Sequence, residues 1–297
     1  MFIMKFSLFH IILIVVLVGI SDPGFAEFHL EGNPTQGGLL FGHADSGNQV
    51  YYGSRKLNNS PDGFFILGFG RDAALQQQLT LVAPDGTTEN HKIILKQRQY
   101  DIQKINGISK KMMNPSKEDL HRIGKEATLV TRARKQESQR LNFQESFTWP
   151  VIGRISGVYG SQRIFNGEPR RPHFGIDIAA PTGTPVKAPA GGLVTLAHNG
   201  MFFSGATLIV DHGHGLSSSF LHLSEILVKE GEKIVQGQTI ATVGATGRVT
   251  GPHLDWRINW FDQRLDPALL VSPMPQQTGT SPGKSEEKEP KSIEFPF

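Results

Sequence analysis

The sequence predicts a mostly β protein: a C-terminal antiparallel β-sandwich preceded by a small immunoglobulin-like β domain and a linking helix. Three observations predict it. The 297 residues include 33 Gly and 18 Pro against 38% hydrophobic residues, a balance that suits turn-rich β structure more than a helical bundle. Short apolar runs such as residues 63–68 alternate with Pro61-Asp62-Gly63 and Pro84-Asp85-Gly86 turns. Residues 183–189 and 231–237 repeat one rhythm, a Gly turn, an apolar residue three on and a second turn; such echoes accompany sandwiches built from two similar halves.

In chain order, residues 1–26 read as a secretory signal. Lys5 supplies the positive start, residues 6–20 the apolar run, and Gly24-Phe25-Ala26 the small residues before cleavage. A run this short falls below the roughly 20 residues of a membrane span, so a secreted product in the periplasm or cell envelope, without a stable membrane span after cleavage, is expected. Residues 30–105 form the expected β domain, with His43 and His91 as surface residues. Residues 114–140 form the linking helix: Pro115 and Ser116 open it, Asp119 completes a capping box, and Leu120, Ile123, Ala127 and Val130 share one stripe. Its Arg122, Lys125, Arg132, Arg134 and Lys135 read as a solvated face. Residues 147–270 hold the candidate chemistry, and 271–297 read as a polar, Pro-containing disordered tail.

Charge and cysteine usage narrow the function. A formal charge of +3 with no cysteine excludes a disulfide framework, a thiolate metal site and a lipidated cysteine. The excess is too diffuse for a nucleic-acid partner, though it suits an anionic polymer.

The chemistry-bearing residues are His173 and Asp177 in RPHFGIDIAAP, His222 in SSSFLHLSE, and His253 and Asp255 in TGRVTGPHLDWRIN. Pro172, Gly175, Pro181 and Gly183 make a helix improbable around the first pair. On a straight strand His173 and Asp177 would lie about 13 Å apart, so the chain must bend, and Gly175 permits it. His253 and Asp255 are two apart on a predicted strand and share a face, with Leu254 and Trp256 on the other. His212-Gly213-His214 and His198 read as turn residues.

These motifs, in this order and spacing over residues 150–270, resemble the M23 (lysostaphin or LytM type) zinc metallopeptidases. The resemblance implies an antiparallel sandwich of the duplicated-hybrid-motif type and, as substrate, the peptide part of peptidoglycan. It implies one zinc ion held by His173, Asp177 and the residue two beyond His253. The family has His at that last position; here it is Asp255, which can ligate through oxygen at about 2.0–2.2 Å and makes another divalent metal possible. An arrangement with His253 as ligand and Asp255 as base competes with it. By the same resemblance His253 is the general base, and His222 supports the oxyanion or protonates the leaving amine. Phe220 stands where the family often has Tyr, and Asn166 is expected to border the groove. On this register His173→Ala and Asp177→Ala are expected to abolish metal binding, His253→Ala to stop turnover, and Asp255→His to be tolerated.

Two function classes follow: a secreted zinc endopeptidase cutting stem peptides or cross-links of peptidoglycan, or a metal-free wall-binding regulator of another hydrolase. The sequence leaves the oligomeric state open.

Overall fold

The computed structural model describes residues 28–105, 116–165 and 167–275. The expected signal segment, Asn166 and most of the expected tail lie outside the described residues.

The N-terminal region contributes seven strands: β1 (Phe28–Gly32), β2 (Leu39–Ala44), β3 (Gln49–Tyr52), β4 (Arg55–Lys56), β5 (Phe64–Gly68), β6 (Gln76–Val82) and β7 (Thr88–Ile94). They form two antiparallel sheets, ordered β1-β2-β5 and β4-β3-β6-β7. Alternation drives this: Leu40, Val50, Phe65, Leu67, Leu79 and Leu81 are buried in one cluster. The Pro84-Asp85-Gly86 turn closes β6 onto β7, with Gly86 at φ +89° and the Asp85 carboxylate accepting from the Thr87 N–H at 2.8 Å. His91 departs from its expected surface role. Its ring stacks on Phe28 at 4.0 Å, because β1 and β7 edges meet across the two sheets.

Strand β8 (Ile102–Ile105) leaves this domain and pairs in parallel with β10 (Gln162–Phe165), so the two halves of the chain interlock. Between them, helix α1 spans Lys117–Arg134 and begins with the expected capping box of Ser116 and Asp119. Its packing stripe differs from the expected one. Leu120 is 55% exposed and Ala127 is exposed, whereas Leu129, Val130 and Ala133 pack on Leu196, Met201 and Ile209. The helix meets the sheet through its C-terminal half, which selects a stripe one step round the cylinder. The basic face is also not wholly solvated: Arg122 Nη2 donates to the Gly200 carbonyl at 2.8 Å, and Arg134 Nη2 donates to Ser219 Oγ at 2.9 Å.

The C-terminal half contains β9 (Arg154–Gly157), β10, β11 (Glu168–Pro169), β12 (Ile176–Ala179), β13 (Pro185–Lys187), β14 (Gly192–Met201), β15 (Gly205–Gly213), β16 (Leu216–Ile226), β17 (Lys233–Ile234), β18 (Thr239–Val243), β19 (His253–Trp260) and β20 (Gln263–Leu265). The main path runs β17-β14-β15-β16-β19-β12-β9, while β18 pairs with both β13 and β16. The echo segments do introduce short strands, β13 and β17, after Gly183 (φ +89°) and Gly231 (φ +86°).

The His212-to-His214 segment closes the β15–β16 hairpin as expected, yet both rings are buried. His212 sits between the Gly191 carbonyl (2.7 Å) and Ser218 Oγ (2.8 Å), under Phe147. His198 belongs to β14 rather than a free turn. The expected tail starts late: Val271 and Met274 pack on the core, and the Trp149 indole donates to the Ser272 carbonyl at 2.8 Å.

Candidate metal centre

Strand register assembles the site. Asp177 on β12 lies directly opposite Asp255 on β19, and Leu221 on β16 lies opposite Asp255 on the other side. Paired residues project from one face of a sheet, so both carboxylates rise from the same face, while Leu254 and Trp256 are fully buried on the other. The sequence periodicity predicted this alternation.

His173 arrives from the loop before β12. Its N–H donates to the Ser161 carbonyl and its carbonyl accepts from the Gly160 N–H, both at 2.8 Å. At Gly175 the fold needs the absence of a side chain. A Cβ there would stand 2.5 Å from Asp255 Oδ1 and 2.6 Å from Arg257 Cγ, so any side chain would push into the carboxylate. Gly157 is constrained in the same way by Asp177 Oδ2.

The result is a compact donor set. One ligand atom from each of His173, Asp177 and Asp255 falls within 4.8 Å of the others. His173 Nε2 and Asp177 Oδ1 are 3.2 Å apart, yet both are buried without a hydrogen-bond partner. Two buried lone-pair atoms facing each other are costly unless a proton or cation lies between them. The residues therefore fit a divalent ion, and an imidazole with two carboxylates is a donor set zinc accepts.

The remaining two histidines flank this set. His253 Nδ1 lies 2.9 Å from the Gly251 carbonyl, which can only accept, so Nδ1 carries the proton and Nε2 keeps its lone pair. That Nε2 is 3.8 Å from Asp177 Oδ1. His222 occupies the point where β16 changes partner, from β19 at Leu221 to β18 at Leu223. It adopts φ +63°, an unusual conformation for a non-glycine residue that marks a site-specific demand. Its Nδ1 donates to the Thr246 carbonyl at 2.9 Å, and its ring lies 5.0 Å from that of His253. Burial pushes the His222 imidazole below its ordinary value, so it is neutral at neutral pH.

Sequence reading did not single out two residues that the site uses. Thr246 orients His222 by its carbonyl, and its hydroxyl ties the loop to β15 and β16 through Ala206 N and the Leu223 carbonyl. Arg257 clamps Asp255: its Nε lies 2.9 and 3.1 Å from Oδ1 and Oδ2, and Nη2 also engages Oδ2. Burial would raise the Asp255 carboxyl, but the Arg257 guanidinium holds it below its ordinary value. The signal was present, since Arg257 is two beyond Asp255 and shares its face.

An antiparallel β scaffold presenting a His/Asp/Asp set with two flanking imidazoles defines a metallohydrolase-like centre. The comparisons agree. The Peptidase family M23 model matches residues 171–267. A solved M23 peptidase chain from Pseudomonas aeruginosa aligns over 80% of this chain and 95% of its own, with a TM-score of 0.64 and 30% identity. Peptidoglycan DD-endopeptidase ShyA of Vibrio cholerae is 42% identical over 106 residues, 35% of this chain and 24% of that protein. DD-carboxypeptidase/endopeptidase Mpg of Neisseria meningitidis is 37% identical over 128 residues, 43% of this chain and 29% of that protein. The chain belongs to peptidase family M23. It spans about a quarter of the length of the curated relatives it matches.

Proposed function

We propose that the protein is a zinc-dependent endopeptidase acting on the peptide stems or cross-links of peptidoglycan, outside the cytoplasm. The observation that carries this reading is that His173 Nε2 and Asp177 Oδ1, both buried without a hydrogen bond, face each other at 3.2 Å beside the Asp255 carboxylate. His173, Asp177 and Asp255 would hold the ion. Bound there, zinc supplies Lewis acidity toward a carbonyl and acidifies a water.

The chain's own groups divide the remaining work. His253, its tautomer fixed by the Gly251 carbonyl, presents Nε2 as a general base to a water beside Asp177. His222, neutral with its one N–H donated from Nδ1 to the Thr246 carbonyl, keeps a lone pair on Nε2. It becomes a donor to the carbonyl oxygen or the departing amine only after Nε2 has taken up a proton. Phe220, fully buried, adds no hydroxyl. Names of relatives support the substrate class: ShyA is a peptidoglycan DD-endopeptidase. No helix among the described residues is long and apolar enough to cross a membrane.

The Arg257 clamp on both oxygens of Asp255 favours a second reading, a metal-free module that binds the wall and regulates another hydrolase. One experiment separates the two. Purified protein is assayed for bound metal and for dye release from labelled sacculi, with and without chelator. Chelator-sensitive release with bound zinc supports the peptidase, and wall binding without release under any divalent metal supports the regulator.

A further inference from the structure

A row of paired residues crosses four strands on the face that carries the metal-binding set: Leu196, Ile209, Ser219 and Arg257. Helix α1 lies on the Leu196–Ile209 end of this row. Its last residue, Arg134, reaches along the row to Ser219 Oγ, next to Arg257. Arg264 joins from β20, where it pairs with Asn259, two residues beyond Arg257 on the same face, and its Nη1 donates to Asn259 Oδ1 at 3.3 Å. Three guanidinium groups thus converge on the sheet floor beside Asp255.

Their charges are not balanced. Arg257 is paired with Asp255. Among the described residues, neither Arg134 nor Arg264 has a carboxylate within ion-pair distance, and Arg134 Nε is buried without a partner. Burial lowers both below the ordinary arginine range, with Arg264 and Arg257 adding to the shift at Arg134, and Arg257 and Arg171 to that at Arg264. Gathering unpaired, partly desolvated cations on one sheet face has a cost, and a bound anion removes that cost.

We propose that Arg134 and Arg264, next to Arg257, form a subsite for a free carboxylate carried by the residue on the amine side of the scissile amide. Placement supports this. Arg257 is two strand positions from the ligand Asp255, about 6.6 Å along the chain, and an α-carboxylate lies only about 2.5 Å from the amide nitrogen of its residue. A planar guanidinium fork matches a carboxylate in two hydrogen bonds. Bonds whose leaving residue ends in a free acid are therefore preferred, which adds carboxypeptidase-type cleavage to the internal cleavage proposed above. The inference rests on the hydrolase reading only for the identity of the nearby bond.

The test uses full-length, zinc-loaded protein and two probes, diacetyl-Lys-D-Ala-D-Ala and its C-terminal amide, with binding followed by NMR titration. The free acid is expected to bind about tenfold more tightly than the amide, and Arg264→Gln to erase that preference without weakening the amide. Arg134→Gln is expected to act alike, and Arg264→Gln covers the case in which it fails to fold. Equal binding of acid and amide to the unmodified protein, no binding of either, or an acid preference that survives Arg264→Gln overturns the proposal. Sacculus digestion is scored separately. Digestion without acid preference sinks the subsite alone, whereas acid preference without digestion keeps it and sinks the hydrolase reading.

Discussion

At the scale of single residues, Asp255 and Arg257 must be considered together. The register alone led to the expectation that Asp255→His is tolerated, but the structure attaches a cost to it. Histidine would leave the guanidinium of Arg257 without the carboxylate it is bonded to, with Asp177 the remaining acid of the site, and removing one partner of a buried pair typically costs about 3–5 kcal/mol. Arg257 keeps 24% of its side chain exposed, so the low end applies. Asp255→His is expected to unfold at lower urea concentration than the unmodified protein, and Asp255→His with Arg257→Gln to recover part of the loss. Equal midpoints for the unmodified protein and the single variant would show that the pair carries no stability. A second residue sets an acid limit away from the site. Burial pushes the His212 imidazole down to about 4, against an unfolded value near 6.5. Below pH 6.5 the unfolded chain binds the proton and the native one does not, so stability falls as pH drops toward 4. A shift of this size corresponds to about 3 kcal/mol. Urea midpoints measured across that window should fall less steeply for His212→Asn than for the unmodified protein.

At the scale of elements, helix α1 was legible at its start and illegible in its function. Ser116 and Asp119 are a local signal, three residues apart, and the capping box forms as read. The stripe was misjudged because Leu120, Ile123, Ala127 and Val130 satisfy helical periodicity equally well, and only the sheet decides which stripe is covered. Arg134 reads as one cation among several, and nothing local reveals that it is the one directed at Ser219. Two strengths follow for the helix. Ser116→Ala is expected to cost about 1 kcal/mol, seen as faster amide exchange in the first turn with little change further on. Ala133→Leu, at a position 3% exposed against Leu196, Met201 and Ile209, is expected to cost about 1–3 kcal/mol by overpacking. If thermal unfolding ranks these two the other way, the anchorage lies nearer Arg122 and Glu126 than the C-terminal half.

At the scale of the whole molecule, the N-terminal domain reaches the candidate metal centre through the loop that carries His173. That the five candidate residues come together was legible because Gly, Pro and two-residue spacing confine them to bends and one strand face. The support behind them was not, since it joins residues some 90 positions apart. Arg71 Nε donates to the Gly160 carbonyl at 2.9 Å, its guanidinium covers the Tyr100 ring at 4.3 Å, and the Gly160 N–H in turn holds the His173 carbonyl. Gly160, at φ +83°, leaves room for Tyr100 and no other side chain. His173 is thus oriented by a chain of contacts rooted in another domain, and supports of this kind typically govern metal affinity by 10–100-fold. Arg71→Ala is expected to weaken zinc binding by about tenfold in competition with a chromogenic chelator, while Arg71→Lys, which keeps a donor but not the planar cover on Tyr100, falls between. The unfolding temperature of the metal-free protein should move little, because Arg71 bonds a loop at the rim of the core. An unchanged zinc affinity in Arg71→Ala would mean that the His173 loop holds its shape without the N-terminal domain.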